Sequence, residues 1–175
     1  QLMVSNRRVD VINEGIDIAL RVRSKLDDDP SLVLRQFALI EQSLFASQAY
    51  LNEFGDIKNP EQLSEHRILS LSEEHLDQQF LLHGPDNQQK KIKVSPIVMG
   101  TNIHMLAQLA SQNCGIALLP ESAAEDFLKS GQLVQILPEW KAPHGILHAV
   151  YPSRRGLLPA VRVFIDYLVE HLSEH

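Results

Sequence analysis

The residues able to do chemistry are few in this chain of 175 residues. Eight histidines and one cysteine make up the soft, metal-capable set. His144 and His148 stand four apart, but Gly145 and the β-type run 146–151 deny them a shared helix face. His171 and His175 could share one at the C-terminus, where no third ligand follows and a solvated, fraying end is the plain reading. No G-x-S-x-G, P-loop or G-x-G-x-x-G pattern occurs, and nothing orders Ser, His and Asp as a triad. The sequence therefore assigns no catalytic residue, no metal site and no cofactor. It does offer a helix start. Thr101 or Asn102 can cap a helix, and free N–H groups with a positive dipole end suit a small anionic or polar ligand when placed at the end of a strand. An ordinary capped helix on a sheet has the same sequence, and that bland reading is the commoner one.

Several elements must position that helix start. Ile103, Leu106, Ala107, Ala110 and Cys114 recur at the spacing of one helix face, which places the thiol in a core. Gly115 supplies a left-handed stop, and the apolar run 116–119 reads as a strand covered on both faces. Strands are expected at 1–4, 16–22, 32–40, 43–46, 68–71, 79–83, 91–94, 97–99, 133–137 and 146–151. Helices are expected at 8–14 after a Ser5-Asn6 cap, at 48–54 after a Ser47 cap, at 121–129, and at 159–172 opened by Pro159. Gly84-Pro85-Asp86-Asn87 marks a turn. The segments 2–20 and 116–137 share one order, strand, polar turn, short helix, glycine, strand. The second copy is preceded by its own strand and helix, and the first is not. Two doubly wound α/β halves follow, the first lacking its opening strand and helix, as in a fragment of a longer chain. The extended runs 43–47 and 146–151 are the candidate crossings between the halves, and a cleft between them is the expected ligand position.

Bulk composition narrows the classes. Hydrophobic residues make up 44% and charged residues 22%, as in an ordinary globular domain. No apolar run approaches the ~20 residues needed to span a bilayer. A single cysteine excludes an internal disulfide and suits a reducing cytoplasm. The net charge is −6, with 16 basic against 22 acidic residues. Nucleic-acid binders need a basic face, so this chain by itself is not expected to grip DNA.

Four stretches carry a resemblance: residues 9–21 (VDVINEGIDIALR), 46–51 (ASQAYL), 115–120 (GIALLP) and 148–155 (HAVYPSRR) running on to Phe164-Ile165. Spread along the chain in this order, they resemble the effector-binding region of LysR-type transcriptional regulators. The resemblance implies a periplasmic-binding-protein type II-like fold of two lobes joined by two crossing strands. Lobe I would be 1–45 plus 151–175, without its first strand and helix, and lobe II 46–150. It implies a small-molecule effector, with a carboxylate among the candidates, and a homodimer or homotetramer. DNA would be reached only through a winged helix-turn-helix absent from this chain.

Carried over residue by residue, the implied effector-binding set is Ser5, Asn6, Arg21, Ser47, Thr101, Asn102 and His148. Arg21 suits a ligand carboxylate or an ion pair with Asp or Glu. His148 suits a ligand contact or a satisfied interior histidine. Gln48 departs from the proline that the family often has after the position of Ser47. The rivals are a transport-type solute-binding protein of the same fold and an enzyme built on it; no sequence feature marks the second.

Overall fold

The computed structural model describes residues 1–4, 9–26, 28–71, 78–153 and 158–172. In chain order the elements are β1 (Ala19–Arg23), β2 (Leu32–Ile40), β3 (Gln42–Ala46), α1 (Gln48–Phe54), β4 (Ile68–Leu71), β5 (Gln78–His83), β6 (Gln89–Val94) and β7 (Pro96–Gly100). There follow α2 (Ile103–Ser111), β8 (Ile116–Pro120), α3 (Glu121–Lys129), β9 (Val134–Ile136), β10 (Gly145–Pro152) and α4 (Pro159–Leu172). They fall into two compact units, Gln1–Ile40 with His144–His175, and Glu41–Pro143.

The α/β class holds, and the unit boundaries lie at 40/41 and 143/144 rather than at the expected 45/46 and 150/151. The reason is strand pairing. The run 43–46 is not a crossing but an interior strand, β3, paired with β8 and β9. The run 146–151 is likewise the middle strand of the first unit, β10, flanked by β1 and β2. Each strand satisfies its backbone inside one unit.

In the first unit the described sheet has the order β1-β10-β2, and both pairings are antiparallel. The parallel βαβ unit expected from residues 2–20 is not formed there. Residues 1–4 carry no strand, and Leu2 and Val4 are exposed. In place of a helix over 8–14 there is a turn over 11–15. Asp10 Oδ1 accepts the N–H groups of Ile12 at 3.1 Å and Asn13 at 3.0 Å, and Glu14 Oε1 accepts the Asp10 N–H at 2.9 Å. Asp10 caps this turn. Ser5 and Asn6 lie outside the described residues. α4 lays Leu168 on Phe37 and Ala149 to make a small core.

The second unit is built on a five-stranded sheet, β7-β4-β8-β3-β9. β4 runs parallel to β7 and β8, and β3 runs antiparallel to β8 and β9. Period-two alternation sends Leu44, Ile68, Ile116 and Ile136 to one face, where Phe80, Leu82, Ile92 and Val94 of the β5–β6 hairpin and Trp140 cover them. Phe45, Leu69, Ala117 and Leu119 take the other face, against Leu106, Ala107 and Ala110 of α2 and Ala124 of α3.

α2 stops one turn earlier than its apolar spacing suggests. Asn113 is the left-handed residue, at φ 65°, and Cys114 is half-buried beyond the helix end. Gly115 is required for space instead. A Cβ there would meet the Arg67 carbonyl oxygen at 2.4 Å, so the missing side chain lets β8 enter beside β4.

Candidate functional site

The parallel strands of the second unit end together. Leu71 closes β4 opposite Gly100 of β7, and Pro120 closes β8 opposite Gln42, the first residue of β3. At this carboxyl edge the backbone turns into α2 and α3, the arrangement that favours ligands in open α/β sheets. A cavity of about 310 Å³ opens there between the sheet and the hairpin, lined by Gln42, Ser70, Leu71, Gln78, Gln79, Phe80 and Leu118. That is the lower end of the small-molecule range. Ser70 is 5% exposed, and its hydroxyl donates to Gln78 Oε1. Gln42 Nε2 donates to the Pro143 carbonyl at 3.3 Å.

On the other face of the same edge lies an ionic cluster. Lys141 Nζ is paired with Glu121, stands 2.9 Å from Ser43 Oγ and 3.8 Å from Glu41 Oε2. The Ser43 hydroxyl donates to Glu121 Oε1 at 2.6 Å and accepts from Gln135 Nε2 at 3.1 Å. The Lys141 ammonium first, and the Ser43 hydroxyl second, hold the Glu121 carboxyl below the usual carboxylate range. Ser43 is fully buried, so the cluster fastens β3, the start of α3 and the 138–143 segment rather than presenting a nucleophile.

The expected site residues divide between the two units. Thr101, half-buried, lies at the bend between β7 and α2, beside the end of β4. Asn102 is exposed and caps α2, its Oδ1 accepting the Met105 N–H at 3.0 Å. Ser47 lies at the opposite edge, beyond the last residue of β3. Its Oγ accepts the Tyr50 N–H at 3.1 Å and donates to Asn113 Oδ1 at 2.6 Å, so both functions of the hydroxyl serve the fold.

In the first unit, Arg21 of β1 is directly opposite His148 of β10, and Gln36 of β2 flanks His148 on its other side. The Arg21 guanidinium donates to the Val9 carbonyl. His148 is 1% exposed, and its Nδ1 is 2.8 Å from the Ile146 carbonyl; a carbonyl only accepts, so Nδ1 carries the proton. Sequence reasoning missed Gln42, Ser70, Gln78 and Lys141. The available signal was a polar residue inside an apolar run, as Ser70 within Ile68-Leu69-Ser70-Leu71.

Residues 1–173 match the LysR substrate binding domain family. The chain belongs to that family. Among relatives of the LysR domain, the HTH-type transcriptional regulator DmlR of Escherichia coli is 30% identical over 174 residues, covering 98% of this chain and 55% of that protein. An uncharacterized HTH-type transcriptional regulator of Haemophilus influenzae is 31% identical over 153 residues, covering 87% of this chain and 52% of that protein. The regulatory domain of CrgA, a LysR-type transcriptional regulator from Neisseria meningitidis, superposes with a TM-score of 0.76 at 30% identity, covering 93% of this chain and 78% of that one. Full-length AphB of Vibrio cholerae, at 23% identity and a TM-score of 0.81, shares the fold. The LysR domain chain thus spans about half the length of the curated relatives it matches. No described helix is long and apolar enough to cross a membrane.

Proposed function

We propose that this chain is the small-molecule effector-sensing and oligomerisation module of a cytoplasmic LysR-type transcription regulator, acting as a homodimer or homotetramer. DNA is contacted by another part of the longer protein, in keeping with the net charge of −6. Effector binds at the carboxyl edge of the second unit, in the cavity lined by Ser70, Gln42 and Gln78 and beside the α2 start at Thr101 and Asn102. The observation that carries this is the cavity itself, where three parallel strands end together. A ligand held there acts on the segments 41–42 and 142–143, where the chain passes between units, because the Ala142 N–H donates to the Gln42 carbonyl at 3.2 Å. The names of the relatives support a regulator over a transport-type solute-binding protein or an enzyme.

A thermal-shift screen of small metabolites tests the reading. A ligand at 100 times its Kd should stabilise by about 2.7 kcal/mol, and Ser70→Ala or Asn102→Ala should reduce that shift. Hits whose shifts neither variant changes would remove the cavity from the site.

A further inference from the structure

We infer that the cavity of the second unit selects an uncharged ligand bearing a hydrogen-bond donor, an amide or hydroxyl on a small apolar body, and rejects carboxylates. The inference rests on the reading of this cavity as the effector site. The lining holds three glutamine amides, one serine hydroxyl and the side chains of Leu71, Phe80 and Leu118; among the described residues, no ionisable one lines it. Two of its polar groups are already oriented by the protein. Gln42 directs one amide N–H to the Pro143 carbonyl, which orients the amide and leaves its oxygen as an acceptor. Ser70 spends its hydroxyl proton on Gln78, so its oxygen is left as an acceptor. These two acceptors call for a donor on the ligand, while the Gln78 and Gln79 amides carry N–H groups that suit an acceptor; an amide or hydroxyl supplies both functions, and a carboxylate only accepts.

The charges nearby agree. Lys141, the cation of the ionic cluster at this edge, faces two carboxylates, Glu121 and Glu41, and so leaves no surplus positive charge. Lys90 is paired with Glu61 at 2.6 Å and stands 5.0 Å over the Trp140 ring. Lys91 and Lys93 alternate with the inward-facing Ile92 and Val94, which places them on the outer face of the hairpin. The Met105 N–H at the α2 start is already bonded to Asn102. An anion entering the cavity would lose its hydration without gaining a cation among the described residues.

Matched amide and acid pairs test this on the full chain: benzamide against benzoate, nicotinamide against nicotinate, and propanamide against propanoate. The readout is the methyl resonances of Leu71 and Leu118, titrated at pH 7 and fixed ionic strength. Amides should shift them with affinities at least tenfold tighter than their acid partners, and Gln42→Lys should narrow that ratio. Acids that shift these methyls as tightly as the amides overturn the charge selection and leave the effector-site reading standing. If no member of any pair moves Leu71 or Leu118, both fall together.

Discussion

The two units of this chain solve the same problem with unequal means. The second unit has a sheet covered on both faces, with Leu44, Leu63, Ile68, Leu69, Leu82, Leu106, Ile116 and Leu119 essentially inaccessible. Its buried polar groups are tied together, Ser43 to Glu121 and Lys141, and Ser47 to Asn113. The described part of the first unit has three strands and one helix over a core of Phe37, Ala149 and Leu168. Leu20 and Val22 are each 45% exposed on the same sheet face as Ala149, and Val163, Phe164 and Tyr167 are exposed on α4. Closing a sheet on both sides gives the second unit a source of stability that the first has only in part. The cavity of the second unit is therefore framed by strands that are packed on both sheet faces.

Substitutions can break this contrast. Leu106→Ala, at the centre of the α2 face, should cost about 2–5 kcal/mol in urea unfolding; a loss below about 1 kcal/mol would mean that α2 packs loosely. Ser47→Ala should cost about 0.5–2 kcal/mol, the usual value of an N-cap, and expose α1 amides to faster hydrogen exchange. Unchanged exchange at Tyr50 would show that the cap is dispensable.

A smaller effect should appear in pH dependence. Burial holds the His66 imidazole below its usual value of 6.5, and its Nδ1 is 3.1 Å from the Tyr50 hydroxyl. The unfolded state then binds the proton more readily, so stability is complete above 6.5 and declines as pH falls through the folded-state value. His66→Gln should flatten that decline in melting curves between about pH 7 and pH 5; an unaltered slope would assign it to other groups. Smallest of all, Leu20→Gln should change the unfolding free energy by no more than about 0.5 kcal/mol. A larger loss in the isolated chain would show that Leu20 is covered after all.

Local chemistry was legible in the sequence where one side chain and its neighbours decide the outcome. Ser47 caps α1 at Gln48, Pro159 opens α4, and Pro85 with Asn87 marks the tight turn between β5 and β6, all as read. Pairing was not legible, because a period of two identifies a strand without naming its partner. The run 146–151 therefore read as a crossing when it is the middle of a sheet. Gly115 read as a helix stop, because the approach of the Arg67 carbonyl comes from another part of the chain. The family resemblance supplied the two-lobed fold, but the cavity draws on β3, β4, β5 and β8, and no local pattern joins Gln42 to Ser70 and Leu118. Of the expected site residues, Thr101 and Asn102 lie at the cavity-bearing edge of the second unit, whereas Ser47 lies at the other end of its sheet.

The place of β10 between β1 and β2 has a consequence for synthesis on the ribosome. The register that joins Ile40 to Gly145 spans roughly 100 residues, and at roughly 5–20 residues per second β1 and β2 wait about 5–20 s for the strand that joins them. During that interval the whole second unit can emerge and fold, while two apolar strands stand with unpaired edges. The nascent chain is thus most prone to capture by chaperones, or by its neighbours on the same message, just before β10 appears.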